Sequence, residues 1–107
     1  MNYFLETTHL SEIIEESNSK TVIIFKYSNN CGSSARLYDE FQKKIKERVL
    51  NDPIYLVTVQ TQPALSKKIA EMFGVKHQSP QILILNKGKL VYTAHHYAIK
   101  TKDFVFT

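Results

Sequence analysis

The sequence predicts a single α/β domain over residues 1–107, with a central mixed four-stranded sheet flanked by helices. Three observations carry this reading. Residues 21–25, 54–59 and 82–85 are short apolar runs rich in β-branched side chains, the composition of strands buried on both faces. The segments between them repeat their apolar residues every three or four positions, as helices packed on one side do. After the third run, Asn86-Lys87-Gly88-Lys89 has the chemistry of a hairpin turn, and Leu90-Val91-Tyr92 supplies a returning strand.

The elements follow in order. Leu10, Ile13 and Ile14 stand at helical spacing, with Thr8 or Ser11 as the expected N-cap, and Ser17-Asn18-Ser19 closes this first helix. The first strand, 21–25, leads into Tyr27-Ser28-Asn29-Asn30-Cys31-Gly32-Ser33-Ser34, a stretch rich in turn formers. A long helix is then expected from about Ser34 to Leu50. Leu37, Phe41, Ile45 and Val49 fall on one stripe of it, and Asp52-Pro53 ends it. After the second strand, Pro63 suits the first turn of a third helix, where its missing N–H is no loss. Leu65, Ile69, Met72 and Phe73 form the apolar side of that helix, and Gly74 suits its end. The third strand and the hairpin follow, then a short last helix around Phe104 and Val105 capped by Thr101. A right-handed crossover makes the first two strands parallel. The hairpin adds its strand antiparallel.

Composition narrows the function classes. At 107 residues and 12.4 kDa the chain is large enough for a core without metal or disulfide staples. Apolar residues at 43% and charged residues at 22% argue against disorder. No apolar run reaches the ~18 residues of a membrane span. The opening Met1-Asn2-Tyr3-Phe4-Leu5-Glu6 has no basic and apolar leader pattern, so a reducing cytoplasm is the expected setting. The net charge of +4 is spread along the chain. Lys43, Lys44 and Lys46 are its densest basic cluster, and Asp39, Glu40 and Glu47 interrupt it, a solvated helix face rather than a nucleic-acid surface.

The one cysteine, Cys31, is the centre of the chemistry. It stands after a buried strand and at the start of a helix, where unpaired N–H groups and the helix dipole favour a thiolate. Ser33 and Ser34 add hydroxyl donors, and Gly32 lets a ligand come close. The alternative is a small cysteine that only packs; polar Asn29, Asn30, Ser33 and Ser34 around it argue for a nucleophile. A second cluster is Lys76-His77-Gln78-Ser79-Pro80-Gln81. The Ser79-Pro80 bond is a candidate cis bond, which would leave the Ser79 backbone free to pair with an extended substrate, although a trans proline opening a strand is the commoner arrangement. His77 is either a neighbour of the thiolate or a loop residue at a strand start. His95 and His96 are adjacent, so on a strand they point to opposite faces and do not suit joint metal binding. Tyr27 and Tyr97 are candidate groove walls, although aromatic residues usually belong to the core.

Taken together, these segments resemble the thioredoxin-like superfamily, in which a strand, cysteine loop and helix face a cis-proline loop. More narrowly, the chain resembles monothiol bacilliredoxins of the YtxJ type. The resemblance is carried by Phe25-Lys26-Tyr27-Ser28, Cys31 with Ser34, Gly74-Val75-Lys76-His77-Gln78-Ser79-Pro80-Gln81 and Val91-Tyr92-Thr93-Ala94-His95-His96, and covers nearly the whole chain. It implies a thioredoxin-like fold and a thiol–disulfide oxidoreductase that removes bacillithiol from S-bacillithiolated client proteins. In that reading Cys31 is catalytic, while Gly32, Ser33, Ser34, His77, Ser79, Pro80 and Lys26 stabilise the thiolate or bind substrate. Lys26, Arg36 and Lys76 are candidate contacts for a thiol that carries carboxylates. Bacillithiol is then a co-substrate with no bound cofactor and no metal. The partners are client proteins and a low-molecular-weight thiol, without nucleic acid or membrane. The protein is expected to be a monomer, able to form a Cys31–Cys31 dimer on oxidation. With one cysteine, an external thiol must resolve any mixed disulfide. Where the family often carries proline after the cysteine, this chain has Gly32. Cys31-Gly32-Ser33-Ser34 is also similar to the Cys-Gly-Phe-Ser loop of monothiol glutaredoxins, which use glutathione and bridge iron–sulfur clusters. Those proteins carry a Gly-Gly turn followed by Cys/Ser-Asp where Thr93-Ala94-His95-His96 stands here. A redox-silent thioredoxin-like adaptor is the third reading.

Overall fold

A computed structural model describes residues 3–99. Its elements are α1 (Leu10–Ser17), β1 (Val22–Tyr27), α2 (Gly32–Lys46), β2 (Ile54–Thr58), α3 (Pro63–Phe73), β3 (Gln81–Asn86) and β4 (Lys89–His95), then a 3₁₀ turn at His96–Ala98. The sheet order is β2-β1-β3-β4. β1 runs parallel to β2 and antiparallel to β3, and β3 pairs antiparallel with β4. Leu5 adds a parallel bridge to Tyr55 on the outer edge of β2. The four-stranded mixed α/β fold is the one expected.

Strand alternation divides the core into two layers. Ile23 and Phe25 point toward α2, where they meet Leu37, Phe41, Leu56 and Ile84. Phe25 lies edge-on to Phe41 with ring centroids 5.2 Å apart. Val22 and Ile24 point the other way, toward Leu10 and Ile13 of α1 and Leu65 and Ile69 of α3. Burying each such side chain stabilises the fold by about 1.5–3 kcal/mol. β1 is therefore buried on both faces, as its unbroken apolar run requires.

Helix ends depart from the periodicity. α2 starts at Gly32, next to the cysteine, and stops at Lys46, short of Leu50. Arg48 takes a left-handed φ of 59°, and this turn throws Val49 outward, 42% exposed, while Leu50 folds back into the core. The N-cap of α1 is His9 rather than Thr8 or Ser11. Thr7 Oγ1 does the local capping work, accepting the His9 N–H at 3.2 Å and donating to Glu12 Oε2 at 2.8 Å. Met72, expected on the apolar side of α3, is 58% exposed. Pro63 and Gly74 open and close α3 as expected, Gly74 at φ 64°. The hairpin turns at Lys87 and Gly88, both at positive φ (52° and 74°), the backbone of a turn that matches strand twist. β4 runs longer than the expected Leu90–Tyr92 stretch, reaching His95. The last helix, expected around Thr101, Phe104 and Val105, lies outside the described residues. Among the described residues no helix is long and apolar enough to cross a membrane.

Candidate active site

Strand register gathers the site at one end of the sheet. Lys26 pairs with Gln81 on one side of β1 and with Val57 on the other. The loop leaving β1 toward Cys31, the Ser79–Pro80 turn entering β3 and the loop leaving β2 therefore share that end. The His96 N–H donates to Pro80 O at 3.0 Å, which brings the end of β4 there as well.

Cys31 is the N-cap residue of α2, with extended backbone (φ −119°, ψ 123°), and its thiol is partly exposed. Its sulfur makes no capping hydrogen bond as a neutral thiol, a weak acceptor. The surroundings nevertheless favour the thiolate and lower its pKa. The Ser34 N–H is the largest cause; the Ser33 N–H and both serine hydroxyls add to it, while partial burial opposes. Gly32 has open space beside its α-carbon: a Cβ added there would meet no atom within 4 Å apart from its chain neighbours and the backbone of its own helix turn.

The loop before Cys31 is held from two sides. Ser34 is buried, and its Oγ accepts the Ser28 N–H at 3.2 Å, closing the loop onto the first turn of α2. From the end of β2, Gln60 reaches across: its Nε2 donates to Ser28 Oγ at 2.7 Å and its Oε1 accepts the Asn29 N–H at 3.1 Å. The Ser28 hydroxyl in turn donates to Asn30 Oδ1 at 2.8 Å. Gln60 was not among the residues singled out from sequence. Its signal is topological: parallel strands joined by a crossover present the loops after both strands at the same end.

The Ser79–Pro80 bond is cis. Pro80 is buried and Ser79 half-buried. Among the described residues the Ser79 backbone has no hydrogen-bond partner. The loop ahead of it is clamped by Gln81, itself 2% exposed, which donates from Nε2 to Lys76 O (3.1 Å) and accepts the Gln78 N–H at Oε1 (3.3 Å).

Lys26 corrects its sequence assignment. It is fully buried in β1, on the face shared with Val22 and Ile24, with Nζ donating to Ser66 O at 2.9 Å and lying 3.3 Å from His77 Nδ1. It is not a surface cation that meets a thiol's carboxylates, because β1 is covered on both faces. Burial lowers its pKa to about 8. His77 has its Nδ1 turned to Lys26 and Ser66 Oγ (3.2 Å). Burial, and then the Lys26 charge, hold its pKa below the ordinary histidine value. Among the described residues its hydrogen-bond partners are these two rather than the thiol. Arg36 and Lys76 are exposed.

One further expectation changes, and one alternative is decided. His95 and His96 do not point to opposite faces: their Nδ1 atoms are 3.1 Å apart. β4 ends at His95, and His96 turns back at φ 51°. Tyr27 is half-buried against Phe25 and Tyr38, with centroids 6.0 and 5.1 Å away, so it belongs largely to the core. The Tyr97 side chain lies outside the described residues.

Comparison with known proteins agrees with this geometry. A solved structure described as having a thioredoxin fold, and as a candidate oxidoreductase, is 29% identical; the match covers 94% of this chain and 88% of that one, at a TM-score of 0.79. Fasciola hepatica thioredoxin matches at 19% identity and a TM-score of 0.69, over 95% of this chain and 91% of its own. A protein named Trxlp from Edwardsiella tarda matches at 19% identity and a TM-score of 0.71, over 95% and 98%. These last two show the fold alone. The model of one family, described as "Monothiol bacilliredoxin BrxC", matches residues 4–104. With a thioredoxin fold around one cysteine at a helix start, the chain belongs to the monothiol bacilliredoxin family.

Proposed function

We propose that this protein removes bacillithiol from S-bacillithiolated proteins through a mixed disulfide on Cys31. The observation that carries the proposal is Cys31 itself: the only cysteine of the chain, partly exposed at the start of α2, with a pKa lowered by the Ser34 and Ser33 N–H groups. Family membership supports the choice of thiol.

The chemistry follows from one sulfur. The Cys31 thiolate attacks the bacillithiol sulfur of the client mixed disulfide. The client sulfur leaves with the electron pair of the broken bond and takes a proton, and Cys31 now carries bacillithiol. A second small thiolate attacks this adduct, leaves as the oxidised low-molecular-weight disulfide, and returns Cys31 as thiolate. No bound cofactor takes part. The Ser79 backbone, without a hydrogen-bond partner among the described residues, suits pairing with an extended client segment. Exposed Arg36 and Lys76 suit the carboxylates of bacillithiol. The protein works as a monomer in a reducing cytoplasm, and a Cys31–Cys31 disulfide is its oxidised by-product.

The test is intact-mass measurement after exposure to oxidised bacillithiol and, separately, oxidised glutathione, followed by assay on a bacillithiolated client. Preferential bacillithiol adducts on Cys31, and loss of client release in Cys31→Ser, are expected. Preferential glutathione adducts, or client release that survives Cys31→Ser, overturn the reading.

A further inference from the structure

Lys26 is the one charged side chain in the buried core among the described residues, and the chemistry above does not use it. It continues the Val22 and Ile24 face of β1, packed toward Leu65 and Ile69 of α3. A fully buried ammonium in such a place must have its donors taken. One goes to Ser66 O on α3 and one to His77 Nδ1 on the loop before Pro80. As an ammonium, Lys26 can only donate, so Nδ1 of His77 must accept and the ring proton must sit on Nε2. His77 is thereby tied to β1, and its Nδ1 also lies 3.2 Å from Ser66 Oγ of α3, while Gln81 ties Lys76 and Gln78 to β3. The segment that presents Ser79 hangs between these two anchors.

We propose that Lys26 is a positioning residue: through His77 it sets the loop whose Ser79 backbone receives the client chain. This rests on the proposed function for the identity of the client, while the anchoring itself does not. The groups that face Lys26 are Ser66 from α3 and His77 from the loop. On the outer side of His77, Lys67 and Glu71 of α3 line a cavity of ≈ 340 Å³ with it and pair with each other at 4.0 Å. Of these, Lys26 is the charge that lowers the His77 pKa.

The test is Lys26→Met, which keeps an unbranched apolar side chain as far as Cε and removes the Nζ donors. Ring ¹⁵N NMR of the wild type is expected to show neutral His77 with its proton on Nε2. In Lys26→Met the ring pKa rises, the two tautomers mix, and the Gln78 and Ser79 amide resonances move. In client assays KM rises about tenfold with kcat little changed, because a binding segment has lost its placement, and the pH profile of Cys31 alkylation stays as in the wild type. Unchanged His77 tautomer and Ser79 resonances, or a loss confined to kcat, overturn the proposal. Should the variant not fold, the wild type decides by titration. The Gln78 and Ser79 amides are expected to shift with the midpoint of Lys26 Nζ, and a separate midpoint overturns the proposal. A wild type inactive on bacillithiolated clients refutes the functional reading and leaves these NMR outcomes intact.

Discussion

Gln60 Nε2 donates to Ser28 Oγ at 2.7 Å, so a residue that follows β2 holds the loop that follows β1. The same side chain accepts the Asn29 N–H. Replacing it leaves the cysteine loop fastened at the Ser34 end alone. Gln60→Ala is expected to lower stability by about 0.5–1.5 kcal/mol, since Gln60 is exposed and water replaces part of what is lost. Amide hydrogen exchange checks the local effect: Asn29 and Asn30 should exchange faster, with the strand interiors unchanged.

Ser34 has two duties, and one substitution separates them by readout. Its Oγ accepts the Ser28 N–H, and its hydroxyl helps hold the Cys31 thiolate. Ser34→Ala is expected to leave the Ser28 N–H buried without a partner, costing about 1–3 kcal/mol in denaturant unfolding. It should also raise the thiol pKa. Alkylation rates measured against pH should show the thiolate forming at higher pH than in the wild type.

Lys26 gives the stability a pH dependence of definite sign. Its folded pKa is about 8, against 10.5 for an unperturbed lysine. Between those values the unfolded chain keeps a proton that the native state has released, so stability rises with pH across this window, by at most about 3 kcal/mol. Below pH 8 both states are charged and the contribution is flat. Denaturant unfolding of wild type and Lys26→Met at several pH values checks this: the wild type should gain stability relative to the variant as pH rises from about 8 to 10.5.

Phe41 is fully buried between α2 and the sheet, against Phe25. Phe41→Ala opens a cavity there and is expected to cost about 3–5 kcal/mol. Thermal unfolding followed by circular dichroism checks it, with the largest loss of order expected in α2 and, through it, at Cys31.

What was legible in the sequence was whatever has a local period. The apolar runs of β1, β2 and β3 and the stripes of the helices placed the sheet, and Lys87-Gly88 marked the hairpin. Breaks in backbone conformation have no such period. Val49 continues the α2 stripe on paper, but the left-handed Arg48 turns it to solvent. His96 breaks the strand alternation by the same device, which is why its ring meets His95. For the site, Cys31, its serines and the Ser79-Pro80 turn could be read because each sits at an element boundary with its own chemistry. Lys26 could not: a lysine at the end of an apolar run looks like a surface cation until α3 is seen to cover it. Gln60 lies 32 residues from Ser28, and nothing near it in the chain announces that bond.

The open space around Gly32 makes this position a place where the protein can change without being rebuilt. Cys31 already has the extended backbone that a following proline demands. Position 32 is the first residue of α2, where proline is well accepted. The thiolate draws on the N–H groups of Ser33 and Ser34, not on that of Gly32. A proline here would stiffen the approach to the helix and remove no donor from the sulfur. Gly32→Pro is thus expected to leave the donors of the sulfur, the loop and its clamp, and the fold beneath as they are, so that what changes is the freedom of the chain beside the thiolate rather than its charge.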